Sequence, residues 1–475
     1  MKCAFAFSWL DANGEHGRLS RPVTPLRSCG LRIAPAPAAV IVLGLVSPAN
    51  AQVIPTTTDQ VAAPWNAQRI FEPSPLPNLT DPDSREEVPP EDTPVKTRQQ
   101  PGYEPIGIRA GSWMFTPSLI SGGFYDSNVF SSDTLKRSDV AAVFEPSLRA
   151  HTLWEQHGID LTLDEQSTVY RETPGLNQTN ASLKGSAWFD IAHDLTLLTN
   201  FQIAHLNVAV GTLSSPSGAV QPTPYNLLSG DVTLRKQFNR LTTSIGFRTD
   251  SYDYGSTKAQ NGSIIDESGL SGQIYSVHGR VDYALSPVFG WFTGVEGNQR
   301  DILGTPGQPL SSQGYRALSG ITVELTHLIT GEFGAGYVQQ HFVDPTIGTI
   351  AGPSYRAILT WSPTRLLDVH FKAEQIVTEI SDTSSSGVLA DAMQLGFDYE
   401  LRRNVILSLT GGYETDRFFG ETRQDHVIST DARIKYLINR FAAISLYHQY
   451  LARDSNAPTF SFDKQVVGIN VTAQF

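Results

Sequence analysis

Apolar and polar residues alternate position by position through most of the chain from about residue 106 to its end. The last fifteen residues show the pattern most clearly: Val467, Ile469, Val471 and Phe475 share one phase, and polar residues such as Asn470 occupy the other. Successive side chains of a β-strand point to opposite faces. The pattern therefore predicts a final strand with one apolar and one polar face, and similar strands before it.

The segment 366–379 carries the strongest alternation in the chain. Asp368, His370, Lys372 and Glu374 share one face, and the residues between them are apolar. A water-soluble β-sandwich and a membrane barrel can both produce this pattern, because the two folds exchange the apolar and polar faces between inside and outside. The connections, the strand lengths and the aromatic residues distinguish the two folds.

The connections between the predicted strands alternate between tight turns, such as 238–240 and 402–404, and longer polar loops, such as 210–224 and 254–271. Short turns on one rim and long loops on the other are typical of outer-membrane barrels. The pattern predicts about 18 strands, with 16 as the alternative, at 113–125, 139–151, 157–170, 179–191, 195–208, 225–237, 241–253, 272–284, 288–300, 314–326, 329–342, 353–361, 366–379, 387–401, 405–417, 424–437, 441–453 and 461–475.

Most of these segments are longer than the roughly 5–6 residues of a globular strand and long enough to cross a bilayer tilted. Trp154, Trp188, Trp361, Tyr399 and Tyr436 fall near strand ends beside tight turns, where an aromatic girdle belongs. An even number of strands can close without a free edge, which the bilayer requires. We therefore predict an all-β fold, a transmembrane antiparallel up-and-down β-barrel over residues 106–475.

The first 105 residues differ from the rest of the chain. An arginine, a short apolar run and the sequence Ala49-Asn50-Ala51 predict a signal peptide over residues 1–51. Residues 52–105 contain 11 prolines and little apolar sequence, so they predict a disordered periplasmic leader. Trp65 and the pair Ile70-Phe71 leave open that this leader docks on a partner or inside the barrel.

Composition narrows the function classes further. Both cysteines, Cys3 and Cys29, precede the predicted cleavage site, so the mature chain would have no thiol chemistry. The net charge is −12 without a basic stripe, which argues against nucleic-acid binding. The mean hydropathy of −0.18 is compatible with a barrel, because only alternate residues face lipid.

One run near the start of the predicted barrel carries a family resemblance. Gly107-Ile-Arg-Ala-Gly-Ser-Trp-Met-Phe-Thr-Pro-Ser-Leu-Ile-Ser-Gly-Gly-Phe-Tyr-Asp-Ser-Asn-Val-Phe130 resembles the opening of the putative β-barrel porin 2 family of Gram-negative bacteria. Phe144-Glu-Pro-Ser-Leu148 and Trp154-Glu-Gln-His157 are similar to the second hairpin of that family. The resemblance implies an outer-membrane barrel and leaves the solute open.

The sequence predicts no catalytic site, no metal site and no cofactor. The eleven histidines have no spacing typical of metal ligands. No Gly-x-Ser-x-Gly motif and no phosphate-binding glycine loop is present. His448 and Ser445 lie in opposite phases, so a lipase site on the barrel wall is not expected.

Charged residues on the inward phase are the predicted functional residues. They would form a water-filled lumen whose charges sort solutes, or an ion-pair network that makes the wall rigid. Lumen aromatics such as Trp188, Phe292 and Tyr447 would pack there or stack on sugars. The charged candidates are Glu145, Arg149, Asp160, Asp164, Lys184, Asp231, Arg235, Arg248, Arg280, Asp282, Arg316, Glu324, Arg356, Asp368, His370, Lys372, Glu374, Asp398, Glu400, Asp431, Arg433 and Lys435.

The resulting expectation is a porin for passive diffusion of small hydrophilic solutes, in the outer membrane of a Gram-negative bacterium, with both termini periplasmic. The alternatives are a polysaccharide-export barrel and a closed structural or adhesive barrel with long external loops. The expected partners are outer-membrane lipid, the barrel-assembly machinery through the closing strand (Val467, Ile469, Val471 and Phe475), and a periplasmic protein through residues 52–105.

Overall fold

The structure is a computed structural model that describes Val95, Arg98, Gln100 and residues 102–304, 309–325, 328–345, 348–378 and 387–475. The expected signal peptide and most of the expected leader lie outside the described residues. No helix in the described ranges is long and apolar enough to cross a membrane.

Eighteen long strands pair in chain order as an antiparallel sheet. A short strand of three residues forms a hairpin with the first of them, and two further three-residue strands form a small hairpin in a loop. The strands are β1 (Ile108–Ala110), β2 (Trp113–Asp126), β3 (Asp139–Thr152), β4 (His157–Tyr170), β5 (Gln178–Ala192), β6 (Leu195–Val208), β7 (Thr223–Phe238), β8 (Leu241–Tyr254), β9 (Ser256–Lys258), β10 (Ile264–Asp266), β11 (Gly272–Ala284), β12 (Phe289–Ile302), β13 (Ser312–Leu325), β14 (Ile329–Phe342), β15 (Thr349–Thr364), β16 (Leu367–Thr378), β17 (Gly387–Arg402), β18 (Val405–Phe419), β19 (Gln424–Asn439), β20 (Ala442–Ser455) and β21 (Phe462–Gln474).

The sheet closes on itself because β21 pairs with both β20 and β2. The closing register joins Ser118 to Gln474 and Asp126 to Val466. A closed sheet has no free edge, so every barrel strand has a partner on each side. The predicted transmembrane antiparallel β-barrel of 18 strands is confirmed, and the alternative of 16 strands is wrong.

The predicted strand ends differ from the observed ends by two residues or fewer in every barrel strand except β15. That strand was predicted at 353–361 and spans Thr349–Thr364. Gly352 and Pro353 interrupt the sequence pattern there. In the structure Pro353 pairs with Tyr337 of β14, whereas β16 pairs with β15 only from Arg356 onward. The proline therefore lies where the strand has one neighbour, and its missing N–H is tolerated.

The two rims of the barrel differ in their connections. At one rim, which we call the tight-turn end, eight connections of two to four residues join the strands. One of them contains Asn239 with a φ of 49°, a left-handed conformation that asparagine adopts more readily than most residues. At the other rim, which we call the long-loop end, the connections have from four to 17 residues.

The outer face of the barrel is apolar. Ile245, Leu163 and Ile469 lie on this face with 61%, 52% and 53% of their surface exposed. Trp361, Tyr399 and Tyr436 lie near the tight-turn end and are also exposed. Large apolar side chains exposed in this way would destabilise a water-soluble protein, and they are what a lipid-facing wall requires.

Candidate functional site: the lumen and its two ends

The charged residues predicted to line the lumen all lie on the strand phase opposite to the exposed apolar side chains. Contacts between strands that are not neighbours establish that this phase is the inside. Arg316 on β13 lies 3.3 Å from Glu374 on β16, across the two strands between them. The role of the charged inward residues in solute passage stays a prediction.

Strands β11 to β16 carry a wall of paired charges. Arg280 contacts Asp282 on its own strand and Glu332 on β14, each at 2.8 Å. Arg316 also donates to the hydroxyl of Ser354 at 3.0 Å. These arginines are almost fully buried, and a buried guanidinium is tolerated only when acceptors satisfy it. This wall is therefore polar, and each of the two buried arginines is paired with a carboxylate.

Other inward charges form smaller groups around the barrel. Arg248 on β8 donates to Asp250 at 2.8 Å. His278 on β11 lies 3.8 Å from Asp231 on β7. Gln449 donates to Asp431 at 2.8 Å, and Arg433 lies 3.9 Å from the same carboxylate. Of the remaining candidates, Arg235 and Arg356 are buried, Lys435 is half-buried, and Glu324 is exposed near the tight-turn end.

Strands β3 to β6 form a more open wall. Lys184 and Ser186 on β5 and Asn200 on β6 face inward and are exposed. Beside them, Asp160 is paired with Arg149, and Asp164 accepts a hydrogen bond from Ser147 at 2.7 Å. Glu145 on β3 accepts one from Gln166 at 2.5 Å. Side chains that face inward and stay exposed indicate unfilled, water-accessible space beside this wall.

The lumen aromatics named from the sequence do not form an open stacking track. Phe292 is 0% exposed, and the guanidinium of Arg280 lies 4.2 Å from its ring centre. Tyr447 is 3% exposed and fits against Gly468, where a Cβ would meet the ring at 2.4 Å. These two rings are covered, so they pack and do not present a face to solutes.

Trp188 does not belong to the aromatic girdle. It shares the inward phase of Lys184, and its indole lies directly over Gly158 on β4. The girdle assignment from the sequence was wrong for this residue because proximity to a strand end does not determine phase. Trp154, Trp361, Tyr399 and Tyr436 are exposed.

A loop crosses the lumen at the long-loop end. We call residues 209–222, which join β6 to β7, the crossing loop. Its Leu213 packs against Val388 and Ala390 of β17 and Phe418 of β18. In an 18-strand barrel, β6 and β17 lie on opposite sides. The crossing loop therefore spans the interior and narrows this end of the lumen.

The neighbouring loops hold the crossing loop in place. Its Val210 packs with Val129 from the loop after β2 and Leu176 from the loop after β4. Its Val220 donates to the carbonyl of Lys258 at 2.9 Å. Sequence alternation gave no signal for these contacts, because they join loops that are far apart in the chain.

The Asp-x-Asn run of the resemblance folds as a turn at the same end. The side chain of Asp126 accepts from the N–H of Asn128 at 2.9 Å. Asn128, which is 0% exposed, donates to the carbonyls of Ser132 and Asp463. The motif thus fixes the first loop to β21 and places Val129 where it packs against the crossing loop.

The ends of β16 and β17 also turn toward the interior. Val377 and Leu389 lie on the phase that faces lipid elsewhere on these strands, yet they are buried. They pack against Phe342 of β14 and Ile350 of β15, which lie on the inward phase. Between its first residue, Thr349, and Arg356, β15 has no pairing with β16. The described ends of this hairpin therefore lie over the inner face of β14 and β15 and narrow the lumen further.

The described residues before the barrel contact its inner wall at the tight-turn end. The N–H of Val95 donates to Asp368 of β16. Arg98 and Gln100 donate to Glu400 of β17 at 3.2 Å and 3.0 Å. Val95 is 1% exposed. The sequence predicted a disordered leader over residues 52–105 and left open that it docks inside the barrel. The described residues of this stretch are held against the wall by polar contacts that composition does not reveal.

The closing strand has the predicted faces. Val467, Ile469, Val471 and Phe475 lie on its outer face and are 43–53% exposed. The ring of Phe475 stacks on Phe441 of the tight turn before β20, with ring centres 5.9 Å apart. Within the described ranges, no group of three or more histidines and carboxylates could hold a metal ion.

A family model described as "Putative beta-barrel porin 2" matches residues 100–475. No curated protein matches the chain. The chain is similar in structure to OpdL of Pseudomonas aeruginosa, with 12% identity, 76% of this chain and 98% of that chain covered, and a TM-score of 0.41.

Two further structures of Pseudomonas aeruginosa have a similar relation to the chain. For OccK2 (OpdF), the identity is 9%, the coverage is 76% of this chain and 98% of that chain, and the TM-score is 0.43. For the ferric enterobactin receptor PfeA, the identity is 8%, the coverage is 76% and 80%, and the TM-score is 0.41. At these values the likeness says nothing about solute or mechanism.

Proposed function

The chain belongs to the putative β-barrel porin 2 family, and from this premise we propose that it lets small hydrophilic solutes diffuse passively across the outer membrane. The observation that carries the proposal is the open wall of β3 to β6. Lys184, Ser186 and Asn200 face the interior of a closed barrel and remain exposed. A lumen filled by a plug would bury them, whereas an 18-strand barrel is wide enough to hold water.

The arrangement of charges supports a hydrophilic solute. The paired wall around Arg280 and Arg316 faces the open wall around Lys184 and Asp160 across the lumen. Rings and walls of charge favour polar solutes over apolar ones. Apolar solutes that enter the lumen would gain no apolar contacts with Phe292 and Tyr447, because both rings are covered.

The two narrowed ends support a small solute. The crossing loop reaches β17 and β18 at the long-loop end, and Val95, Arg98 and Gln100 lie on the wall at the tight-turn end. The free cross-section of the lumen at each of these ends is therefore smaller than the full width of the barrel. We therefore expect an exclusion limit in the range of small metabolites.

The two alternatives receive less support. A polysaccharide exporter would use exposed aromatic rings, whereas the inward rings of Phe292 and Tyr447 are covered. An adhesive barrel would extend its loops outward, whereas the described loops pack on one another and on the inner wall. The charged wall and the exposed side chains fit a diffusion pore better than either alternative.

A liposome-swelling assay tests the proposal. Proteoliposomes loaded with a large polymer are diluted into iso-osmotic solutions of neutral sugars of increasing size. We expect rapid swelling with a monosaccharide and a steep decline with larger oligosaccharides. Swelling rates equal to those of protein-free liposomes, measured with protein of confirmed heat-modifiable migration, would contradict the proposal.

We further propose the orientation and the partners. Short turns of outer-membrane barrels face the periplasm, so the tight-turn end, where β2 begins and β21 ends, would face the periplasm with both termini. The closing strand would be the segment that the barrel-assembly machinery recognises, and residues 52–105 would reach a periplasmic partner. Enzymatic activity forms no part of this proposal.

A further inference from the structure

Three carboxylates lie together on the inner wall at the tight-turn end. Asp368 on β16 and Asp398 on β17 are directly opposite each other in the strand register, and Glu400 lies two residues beyond Asp398 on the same face. They are 0%, 1% and 6% exposed. Like charges directly opposite each other destabilise a strand pair, and burial strengthens their repulsion. This patch therefore requires positive charge or hydrogen-bond donors.

The wall itself supplies part of what the patch requires. Ser362 donates to Asp368 and Ser408 to Asp398, each at 2.6 Å. His370 lies 3.1 Å from Asp398. Lys372, the next inward cation on β16, lies 3.6 Å from Glu374 and is thus directed toward a carboxylate further from this end.

The chain before the barrel supplies further donors. Arg98 places a guanidinium 3.2 Å from Glu400, Gln100 donates to the same carboxylate, and the N–H of Val95 donates to Asp368. The side chains of Arg98 and Glu400 are 11% and 7% exposed. We call these three residues the latch residues: Arg98 acts as an internal cation on the acidic wall, and Val95 and Gln100 add hydrogen-bond donors.

The latch residues are held by charge and hydrogen bonds more than by apolar contact. The sequence 94–100 reads Pro-Val-Lys-Thr-Arg-Gln-Gln, in which the apolar side chains are a proline and a valine. Just before it, residues 81–92 contain six acidic residues and one arginine, and an acidic wall repels such a segment. Electrostatics therefore favour Arg98 as the group that docks on this patch.

We propose that the latch residues form an electrostatic latch on the wall of the tight-turn end, which releases when cations replace Arg98 on the acidic patch. Release widens that end of the lumen, so the latch controls conduction. This proposal rests on the proposed function only for its effect on conduction, because docking and release are properties of the contact itself. A guanidinium ion reproduces the chemistry of Arg98 and is the cation best suited to replace it.

Accessibility of a cysteine at position 95 measures the latch directly. The protein for this test would carry Cys3→Ser, Cys29→Ser and Val95→Cys. The last substitution keeps the backbone N–H of residue 95. A water-soluble maleimide should label it slowly in the otherwise unchanged protein, since residue 95 is buried. Adding Glu400→Gln should accelerate labelling by about tenfold or more, because a charge-assisted hydrogen bond is lost.

Glu332→Gln is the matched control. It removes an inward carboxylate that is also paired with an arginine, Arg280, on a different part of the wall. We expect the labelling rate at residue 95 to stay unchanged in this variant. Equal acceleration by Glu332→Gln and Glu400→Gln would overturn the latch, because the effect would then be a general loosening of the barrel. Heat-modifiable migration confirms folding of each variant.

Replacement by a cation is tested in the protein with Glu400 intact. Guanidinium chloride at about 0.1 M should raise the labelling rate more than sodium chloride of the same ionic strength, which screens the contact without replacing Arg98. Identical, slow labelling in both salts would overturn the latch, since the segment would then be a fixed part of the wall.

Conductance of the same variants tests the effect on the lumen. Arg98→Ala and Glu400→Gln should each raise the single-channel current above that of the unchanged protein. Labelling that responds as expected in a protein without any current would retain the latch and contradict the proposed function. Current that flows equally in all variants would retain the proposed function and overturn the latch as a control of conduction.

Discussion

Two lysine–carboxylate pairs near the closing strand differ mainly in burial. Lys464 of β21 lies 2.8 Å from Asp126 of β2, with side chains 9% and 1% exposed. Lys136, in the loop after β2, lies 2.6 Å from Asp463 with side chains 46% and 49% exposed. The buried pair has lost most of its water, whereas the exposed pair keeps it. Burial, more than distance, should therefore decide what each pair contributes.

We predict that Lys464→Met lowers the free energy of unfolding by about 3–5 kcal/mol, because it leaves the charge of Asp126 buried without its partner. Lys136→Met should lower it much less, because water already solvates both charges of the exposed pair. Urea titration of the refolded protein in detergent or liposomes, followed by tryptophan fluorescence, measures both values. Adding Asp126→Asn to Lys464→Met should recover part of the loss; no recovery would show that the lysine stem, and not the charge, carries the effect.

Sequence alternation predicted the faces of residues much better than their surroundings. The phase of Asp368, Arg316 and Ile469 follows from period two, since one face of each strand must meet lipid. The pairing of Arg316 with Glu374 could not be predicted, because it depends on barrel curvature and crosses two strands. Trp188 was assigned to the girdle because it lies near a strand end, but its strand phase directs the side chain inward, over Gly158.

At the scale of elements, the crossing loop is the part that alternation does not determine. Its anchor Leu213 lies more than 170 residues from Val388 in the sequence, and nothing local marks the contact. The strands were predictable because each repeats a local rule, and the loops were not because each is positioned by distant contacts. The same reason explains why the inward ends of β16 and β17 were missed.

We predict that Leu213→Asp detaches the crossing loop from β17 and β18, because a carboxylate cannot be buried against Val388, Ala390 and Phe418 without a partner. The single-channel current should rise and become noisier. Ser217→Asp is the control, since it adds the same charge at an exposed position of the same loop. Equal currents in the two variants would mean that the crossing loop does not restrict the lumen.

At the scale of the whole molecule, closure depends on the last strand. β21 supplies the partner of both β20 and β2, so its loss would leave two unpaired edges in lipid. Unpaired backbone groups are costly where no water can replace their partners. The short β1 pairs with three residues at the start of β2 and cannot replace it.

We therefore predict that removing residues 461–475 abolishes the heat-modifiable, folded band on cold electrophoresis. Removing residues 260–262, the exposed tip between β9 and β10, should leave that band intact. A folded band from the chain without β21 would mean that the remaining 17 strands close in another way.

The central claim is that the lumen conducts small hydrophilic solutes, and single-channel recording of the refolded protein in a planar bilayer tests it most directly. Folding is first confirmed by heat-modifiable migration. We expect steady current steps that are linear in voltage, with a size that reflects the narrowing by the crossing loop and the latch residues. Correctly folded protein that gives no current, even with Arg98→Ala and Leu213→Asp combined, would contradict the account and leave a closed barrel.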